Sequence, residues 1–361
     1  TAVGKGALCD ITTTQDNTAI GYDAGRDSTG NYTTAVGSEA VFKTTGDANT
    51  GMGYRALMCN TSGTANVGLG YQAGCVTTTG SYNTSVGYRS MRFNTTASNN
   101  TGVGVESLLC NTIGTANVAL GAYSMCKNTE ANDNTAVGVA SLLVNTTGHS
   151  NTSIGRCSLN ANITGGANVA IGISALDSNT TGGNNTAVGR FSLFESLTGT
   201  QNTAIGRESG CDLTSGSNNI FVGNQAGANV ANTIGAVTTG SNKIIIGNND
   251  HTDALVKVAW TVTSDERDKM NFESISHGLD FVTKLNPISY NFKKSRENPV
   301  PHGQKRYGFK AQDILKLEGD NPIIIDNENP DMLKYKGEHL VPILVNAIKD
   351  LKKEIDDLKN K

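Results

Sequence analysis

The chain has 361 residues with 29 basic and 32 acidic side chains, and its formal charge of −3 argues against nucleic-acid binding, which usually relies on a basic stripe. No run approaches the ~18 consecutive apolar residues of a membrane-spanning helix, so membrane insertion is not expected either. Composition changes near residue 263: all six prolines follow it, whereas all seven cysteines and 37 of the 42 glycines precede it. A stretch of this length without proline is not an ordinary globular domain.

Residues 1–250 consist of a repeat whose most regular part is Asn-Thr-Ala-Val/Ile-Gly. Its glycines run from Gly4 to Gly223 at intervals of 17 residues, apart from two intervals of 16, and a last copy ends at Gly247 after 24 residues. An apolar residue precedes each glycine, a β-branched residue usually stands three before it, and a small residue usually lies between them. This alternation is typical of a β-strand.

One such unit cannot bury its apolar edge, but stacked units can, because their equivalent side chains form columns. The Asn that precedes most of the glycines by four suits a left-handed turn and can form a ladder with its copies. Residues 1–250 are therefore predicted to form a β-solenoid or β-roll, with roughly 4.8 Å per layer. The column of small residues indicates close packing, either against the opposite wall of one chain or between three chains around an axis.

Two further features of the repeat bear on chemistry. The cysteines stand at repeat-locked positions, which favours small, mostly buried apolar side chains over disulfides or metal ligands. Acidic residues such as Asp23, Glu130 and Asp177 are sparse and scattered over the repeat positions, so the converging carboxylates of a glycan-cleaving enzyme are not expected. Neither a metal nor a cofactor is predicted.

After Gly247 the pattern changes. Residues 251–263 are predicted as a junction strand in which Trp260 closes the solenoid core. Ser264 is predicted to cap a helix with acidic residues in its first turn. A short helix at 275–285, strands at 287–292 and 306–309 around a polar loop at 295–305, and a helix at 311–317 follow. From Leu340, an apolar seam at steps of 4 and 3 predicts a short coiled coil: Leu344, Ile348, Leu351, Ile355 and Leu358.

Both regions resemble known families. The repeat is similar to the Asn-Ser/Thr-x-Ala-Ile-Gly repeats of trimeric autotransporter adhesin heads and to the repeat shafts of viral and phage tail fibres. Over residues 264–361, Ser-Asp-x-Arg-x-Lys, Leu-Asn-Pro-x-x-Tyr-x-Phe, Tyr-Gly-Phe-x-Ala-Gln-Asp and a leucine-rich end follow in order. This order resembles the self-cleaving intramolecular chaperone domain of endosialidases, tailspikes, and phage neck and tail fibres. Lys310 departs from the family, which often has an apolar residue there.

The resemblance implies a mainly β, trimeric fibre shaft followed by a small α+β chaperone domain at 264–361, with its coiled coil from about residue 340. That domain would trimerise the fibre, guide its folding, and then cut between Thr263 and Ser264. Ser264 would be the nucleophile and Lys269 its general base, while Asp265, Arg267, Gly308 and Gln312 complete the motifs. The implied location is the virion, assembled in the host cytoplasm, and the implied partners are two further copies and a host receptor, with a glycan as one candidate.

The residues also constrain the chemistry directly. A serine hydroxyl needs a base, and lysine serves only as the neutral amine, which burial or cationic neighbours favour. Five residues correspond to about 140° on an α-helix, so Ser264 and Lys269 meet only if the segment is bent or non-helical. Attack on the preceding carbonyl would be a single-turnover event, and His277, His302 and His339 are more naturally structural. The alternatives are a non-proteolytic trimeric adhesin and an enzyme acting on host glycans.

Overall fold

The computed structural model describes every residue except 12–13, 230–235, 249, 252–254, 256, 258–263, 294–298 and 361. By its internal contacts the chain divides into two compact units, Thr1–Asn248 and Asn249–Lys361. The strand predicted at 251–263 falls almost wholly outside the described residues, as do Trp260 and Thr263.

The first unit is a parallel β-solenoid, and fifteen short strands form one sheet in chain order. The mainly β prediction is confirmed. The strands are Ala2–Val3 (β1), Thr18–Ile20 (β2), Thr34–Val36 (β3), Thr50–Met52 (β4), Val67–Leu69 (β5), Thr84–Val86 (β6), Thr101–Val103 (β7), Val118–Leu120 (β8), Thr135–Val137 (β9), Thr152–Ile154 (β10), Val169–Ile171 (β11), Thr186–Val188 (β12), Thr203–Ile205 (β13), Ile220–Val222 (β14) and Ile244–Ile246 (β15).

In strands β2 to β13, the small middle residue faces the core of its own chain. Ala136 and Ser153 are paired neighbours in β9 and β10, and both are buried. Opposite them lies the column that follows each repeat glycine by four, which includes Leu142 and Leu159. Of the two packings left open by the sequence, the small column therefore contacts its own opposite wall. Each fully buried leucine in that wall contributes roughly 1.5–3 kcal/mol.

The apolar residue before each glycine points outward instead. Met52 and Ile205 end β4 and β13, and each is 45% exposed. Alternate residues of a strand face opposite sides, so burying the small column leaves its two neighbours outside. The outer face of the sheet thus carries an apolar column that the described residues of this unit leave exposed.

The predicted asparagine ladder is present, with one correction. The backbone N–H of Asn66 donates to Oδ1 of Asn49 at 3.0 Å, and its side-chain amide donates to the carbonyl of Gly80 at 2.8 Å. The left-handed residues are Ala48 and Ala65, at φ 57° and 53°, and not the asparagines that follow them. Each asparagine is already part of the backbone ladder between turns, because its own carbonyl accepts an N–H from the neighbouring turn. The Asn66 carbonyl, for example, accepts the N–H of Thr50.

The repeat glycines are required by both conformation and space. Gly138 has φ +130°, and a Cβ there would lie 2.5 Å from the carbonyl oxygen of Gly155 in the next turn. Residues with a side chain rarely adopt this φ, and no contact this short is tolerated. Backbone-to-backbone stacking therefore fixes glycine at this position of the repeat.

The second unit is a small α+β domain that begins with a 3₁₀ turn at Glu266–Asp268. Its further elements are Leu279–Val282 (α1), Ile288–Lys293 (β16), Pro301–Gly308 (β17), Ala311–Glu318 (α2), Ile325–Asp326 (β18), Lys334–Tyr335 (β19), a 3₁₀ turn at Gly337–His339, and Leu340–Lys359 (α3). Strands β16 and β17 pair antiparallel, as do β18 and β19. The core joins α1, α2, β18 and α3 through Phe281, Ile314, Ile325 and Ile343.

Three predicted elements of this unit need correction. The helix expected at 275–285 is reduced to α1, because Gly278 precedes it with φ −146° and ψ −135°. The strand expected at 306–309 begins at Pro301, so much of the expected loop at 295–305 is strand. Strands β18 and β19 were not predicted. They follow a loop in which the Glu318 carboxylate accepts the N–H groups of three successive residues, 323–325.

Helix α3 is continuous over the predicted seam. Ile343 and Ala347 are buried in the domain, whereas Leu344, Ile348 and Leu351 on the seam are 39%, 68% and 46% exposed. The helix is confirmed, and the coiled coil stays a prediction because a seam needs a partner helix.

Candidate functional site

The site begins with a short 3₁₀ turn directly after the predicted scissile bond. Its cap is Asp265, not Ser264 as expected, and Asp265 Oδ1 accepts the backbone N–H of Arg267 at 2.9 Å. The turn ends at Lys269, which has φ −124° and ψ 152° and donates its N–H to the Glu266 carbonyl. One tight turn followed by an extended residue replaces the α-helix that would have separated the two predicted catalytic residues.

This bend brings Ser264 and Lys269 together. Lys269 Nζ donates to Ser264 Oγ at 2.5 Å. The segment thus meets the condition, derived from the spacing alone, that it be bent or non-helical. The same contact used in reverse, with a neutral amine accepting the hydroxyl proton, would activate the serine.

Arg267 is engaged with Asp265 and is not directed at the lysine. Its Nε and Nη2 donate to the two carboxylate oxygens at 3.0 and 2.6 Å. These side-chain bonds hold the pKa of Asp265 below its ordinary value, and the Asp265 carboxylate raises the pKa of Arg267. The opposite charges of Asp265 and Arg267 neutralise each other, so Arg267 offsets one of the negative charges near Lys269.

The two catalytic candidates are exposed in the single chain. The residues after them are exposed as well, with Met270 at 80% and Phe272 at 67%. The burial that favours a neutral lysine is therefore not supplied by the described part of this chain. Thr263, on the other side of the bond, lies outside the described residues.

The remaining motif residues stand apart from this pair. Gly308 ends β17 opposite Ile288, where a Cβ would come 3.1 Å from the ring of Tyr290. Gln312 is exposed on α2. Within the described ranges, no hydrogen bond connects either residue to Ser264 or Lys269. The packing of the hairpin accounts for Gly308, whereas Gln312 lies in the first turn of α2.

The three histidines are likewise placed elsewhere. His277 lies against Phe281 with ring centroids 4.4 Å apart, and His339 ends the 3₁₀ turn before α3. His302 is in β17, paired with Phe292. None of them forms a hydrogen bond to Ser264 or Lys269 among the residues that the structure describes.

Helix α3 holds the segment that follows the site, a contact that sequence reasoning missed. Asp350 Oδ2 accepts the N–H of Leu279 at 3.0 Å, and the Asn346 amide donates to the Ile275 carbonyl at 3.2 Å. These partners are 71 residues apart in the chain. No local pattern marks an Asn and an Asp on an exposed helix as backbone anchors.

The cysteines form no disulfide, and all seven are free. Burial raises the pKa of Cys126 to about 11 and that of Cys211 to about 12, the latter also through Asp212. Only Cys75 and Cys126 are fully buried and Cys9 is exposed, so the expectation of mostly buried cysteines was too strong. Over the described residues, no group of three potential ligands is arranged for a metal ion, and no helix is long and apolar enough to cross a membrane.

Comparison with known proteins gives one family match, within the second unit. Residues 264–320 match the family described as chaperone of endosialidase, a peptidase family. The match begins at Ser264 and includes α1, α2 and the β16–β17 hairpin, whereas α3 lies beyond it. Searches of curated proteins and of solved structures each gave no significant match. Residues 264–320 thus resemble a chaperone-of-endosialidase domain, and a match at this place behind a parallel β-solenoid fits a tailspike or tail fibre with an intramolecular chaperone domain.

Proposed function

We propose that this chain is the shaft of a viral tail fibre or spike whose C-terminal domain trimerises it, guides its folding and then cuts the bond between Thr263 and Ser264. The observation that carries the proteolytic part is the 2.5 Å contact between Lys269 Nζ and Ser264 Oγ. It occurs at the first residue of the family match. A serine and a lysine in contact at that point are what a self-cleaving chaperone needs.

The reaction is an acyl shift followed by hydrolysis. Neutral Lys269 takes the proton of the Ser264 hydroxyl, and Oγ attacks the carbonyl carbon of Thr263. The C–N bond breaks, the lysine returns its proton to the new amino group of Ser264, and Thr263 remains as an ester on Oγ. Water then opens the ester to the Thr263 carboxylate and the free hydroxyl. The substrate bond is consumed, so each chain reacts once.

Three copies are favoured by two apolar surfaces that one chain leaves open. The outer face of the solenoid sheet presents the column that includes Ile20, Met52 and Ile205, each at least 43% exposed. Extended apolar faces mark interaction sites, and a column with the period of the solenoid fits another copy in register. The seam of α3, with Ile348 and Leu358 at 68% and 70% exposure, provides a second contact.

Cleavage has a physical purpose in such a fibre. Register slips by whole repeats are nearly equal in energy, and non-local assembly is slow with exposed strand edges. A trimer at the chain end fixes register and raises local concentration. Once this nucleus is removed, unfolding is hard to reverse and stability becomes kinetic.

The mature fibre would belong to the virion and attach it to a host-cell receptor. Assembly in the host cytoplasm is supported by the seven free thiols, since a reducing compartment keeps cysteines unpaired. The turns of the solenoid provide a long surface for such a receptor, and one part of it is developed below.

The test is intact mass under denaturing conditions for the wild type, Ser264→Ala, Lys269→Met and the control Asp268→Asn. We expect the wild type and the control to yield two fragments that meet between Thr263 and Ser264, and the other two to stay whole. Light scattering on the same four proteins under native conditions should give trimers throughout. Cleavage in Ser264→Ala would exclude the serine nucleophile.

An uncut, trimeric wild type would remove the peptidase and leave the fibre with its chaperone. An uncut monomer would remove both. In that case a single-chain solenoid with an unrelated cap would be the better description.

A further inference from the structure

A column of tyrosines follows the repeat glycines in the first half of the solenoid. The rings of Tyr54 and Tyr71 stack with centroids 5.4 Å apart, and those of Tyr71 and Tyr88 with centroids 5.3 Å apart. One turn before Tyr54 the position is Ser38, and one turn earlier it is Tyr22. The stack is thus interrupted by a single small residue between two tyrosines.

A groove of about 510 Å³ lies beside this interruption, and Tyr22 is part of its lining. Tyr22 and Phe42 line it with aromatic rings, Asp23 and Glu39 with carboxylates, and Lys43 with an ammonium group. We call it the Tyr22 groove. Met58, Cys59 and Thr61 complete its lining, so the groove spans the turns that begin at Gly21, Gly37 and Gly53. The first two of these turns have 16 residues instead of 17. The volume lies within the range of ~300–1,000 Å³ that is usual for small-ligand sites.

The charges in the Tyr22 groove are largely offset. Glu39 Oε2 accepts from Arg55 Nε at 2.8 Å, and Asp23 Oδ2 lies 3.5 Å from Arg26 Nη1. Each carboxylate keeps lone pairs for further donors, and Lys43 remains a donor. The groove therefore combines aromatic walls, several acceptors and one donor with little net charge.

This combination selects among ligand classes. An anion would face two carboxylates, and a purely apolar ligand would leave three charged side chains without water. A metal ion is disfavoured because the described residues contain no arrangement of three ligands for one. A sugar ring suits the groove, because its C–H face packs on aromatic rings while its hydroxyls both donate and accept. We propose that the Tyr22 groove binds one neutral hexopyranose unit of a glycan.

This inference names a ligand class and a place for the attachment role proposed above, on which its biological use rests. The binding chemistry itself depends only on the geometry of the groove. Ser38→Tyr should place a ring between Tyr22 and Tyr54, next to the Tyr22 wall of the groove, and so narrow it. Phe42→Ala removes one aromatic wall without filling the space, and it serves as the second variant if Ser38→Tyr does not fold.

The experiment is saturation-transfer NMR on the whole fibre with the methyl glycosides of glucose, galactose, mannose and N-acetylglucosamine, each at about 10 mM, above a millimolar Kd. We expect transfer to at least one sugar in the wild type, reduced about tenfold in Ser38→Tyr and in Phe42→Ala. The matched control Ala122→Tyr adds a tyrosine to the same column five turns further on, and should leave the transfer unchanged. The absence of transfer in the wild type, or equal transfer in Ser38→Tyr, would overturn the proposal.

Binding of the labelled fibre to isolated cell envelopes separates this proposal from the attachment role. Envelope binding without sugar transfer would refute the Tyr22 groove alone. Sugar transfer without envelope binding would support the groove and refute attachment by this fibre.

Discussion

Asn179 and Ser196 occupy the same buried column in adjacent turns, and each carries an oxygen without a hydrogen-bond partner. The Asn179 amide donates to Asn162 Oδ1 at 2.7 Å and to the Gly182 carbonyl at 3.0 Å. Its own Oδ1 receives no donor, because the serine that follows is too short to reach it, and Ser196 Oγ is likewise unsatisfied. A ladder of asparagines that begins at Asn94 therefore ends at this point with two unsatisfied buried groups.

Ser196→Asn should extend the ladder by one turn. Its amide would donate to Asn179 Oδ1 and to the Gly199 carbonyl, so two unsatisfied oxygens are replaced by one. We expect a gain of about 1 kcal/mol per solenoid, the usual net value of a hydrogen bond. Thermal unfolding at a fixed scan rate measures it, with Ser196→Ala as the control that removes only the unsatisfied hydroxyl. A lower unfolding temperature for Ser196→Asn than for Ser196→Ala would contradict the ladder argument.

Gly138→Ala should destabilise the solenoid strongly. The new methyl group would lie 2.5 Å from the Gly155 carbonyl oxygen at a backbone φ of +130°. We expect a loss of at least about 2 kcal/mol, since strained backbone alone costs 1–3. Gly166→Ala is the matched control, because its Cβ would come no closer than 3.2 Å to its nearest neighbour. Similar unfolding temperatures for the two variants would show that the glycine column is not a packing requirement.

The period of the solenoid could be predicted because each turn contacts only its neighbours, so that glycine spacing alone sets the layer. Which face points inward could not be predicted as easily. Ala136 is small and Val137 is apolar, and hydrophobicity alone assigns Val137 to the core. The opposite wall decides the matter: Leu142 already fills the interior, and only a small residue fits across from it. One residue of shift in a strand exchanges its faces.

The site could be predicted only in part for a similar reason. The motif residues name Ser264 and Lys269, but the contact between them depends on a 3₁₀ turn closed by Asp265 and not on an α-helix. The anchors Asn346 and Asp350 act on backbone about 70 residues earlier, so no local pattern marks them. Local propensity describes the turn, and tertiary contacts fix where it lies.

Thiol reactivity should follow burial along the solenoid. At pH 8, a pKa of about 11 for Cys126 leaves a thiolate fraction about a hundredfold below that of an ordinary thiol at 9.0. Cys211, at about 12, should react more slowly still, whereas exposed Cys9 should be alkylated first. Peptide mapping after timed iodoacetamide treatment of the native fibre measures the order. Rapid labelling of Cys126 would mean that the turns around it open readily.

The bonds between Asp265 and Arg267 should support self-cleavage at every pH from about 5 to 8. Arg267 lowers the pKa of Asp265 below 3.8. The stabilisation of the turn by this pair is therefore fully present above the pKa that Asp265 has in the unfolded chain, and it is lost as the pH falls through the lower pKa of Asp265 in the folded chain. Asp265 therefore stays charged from pH 5 to 8, and any pH dependence of cleavage in that window must come from other groups. Asp265→Asn keeps an oxygen for the Arg267 N–H but loses the ion pair, and Asp265→Ala loses both. We expect cleavage rates to fall from the wild type to Asp265→Asn to Asp265→Ala, followed by denaturing gels over time at each pH. Equal rates in all three chains would show that the capped turn does not bring Lys269 to Ser264 during the reaction.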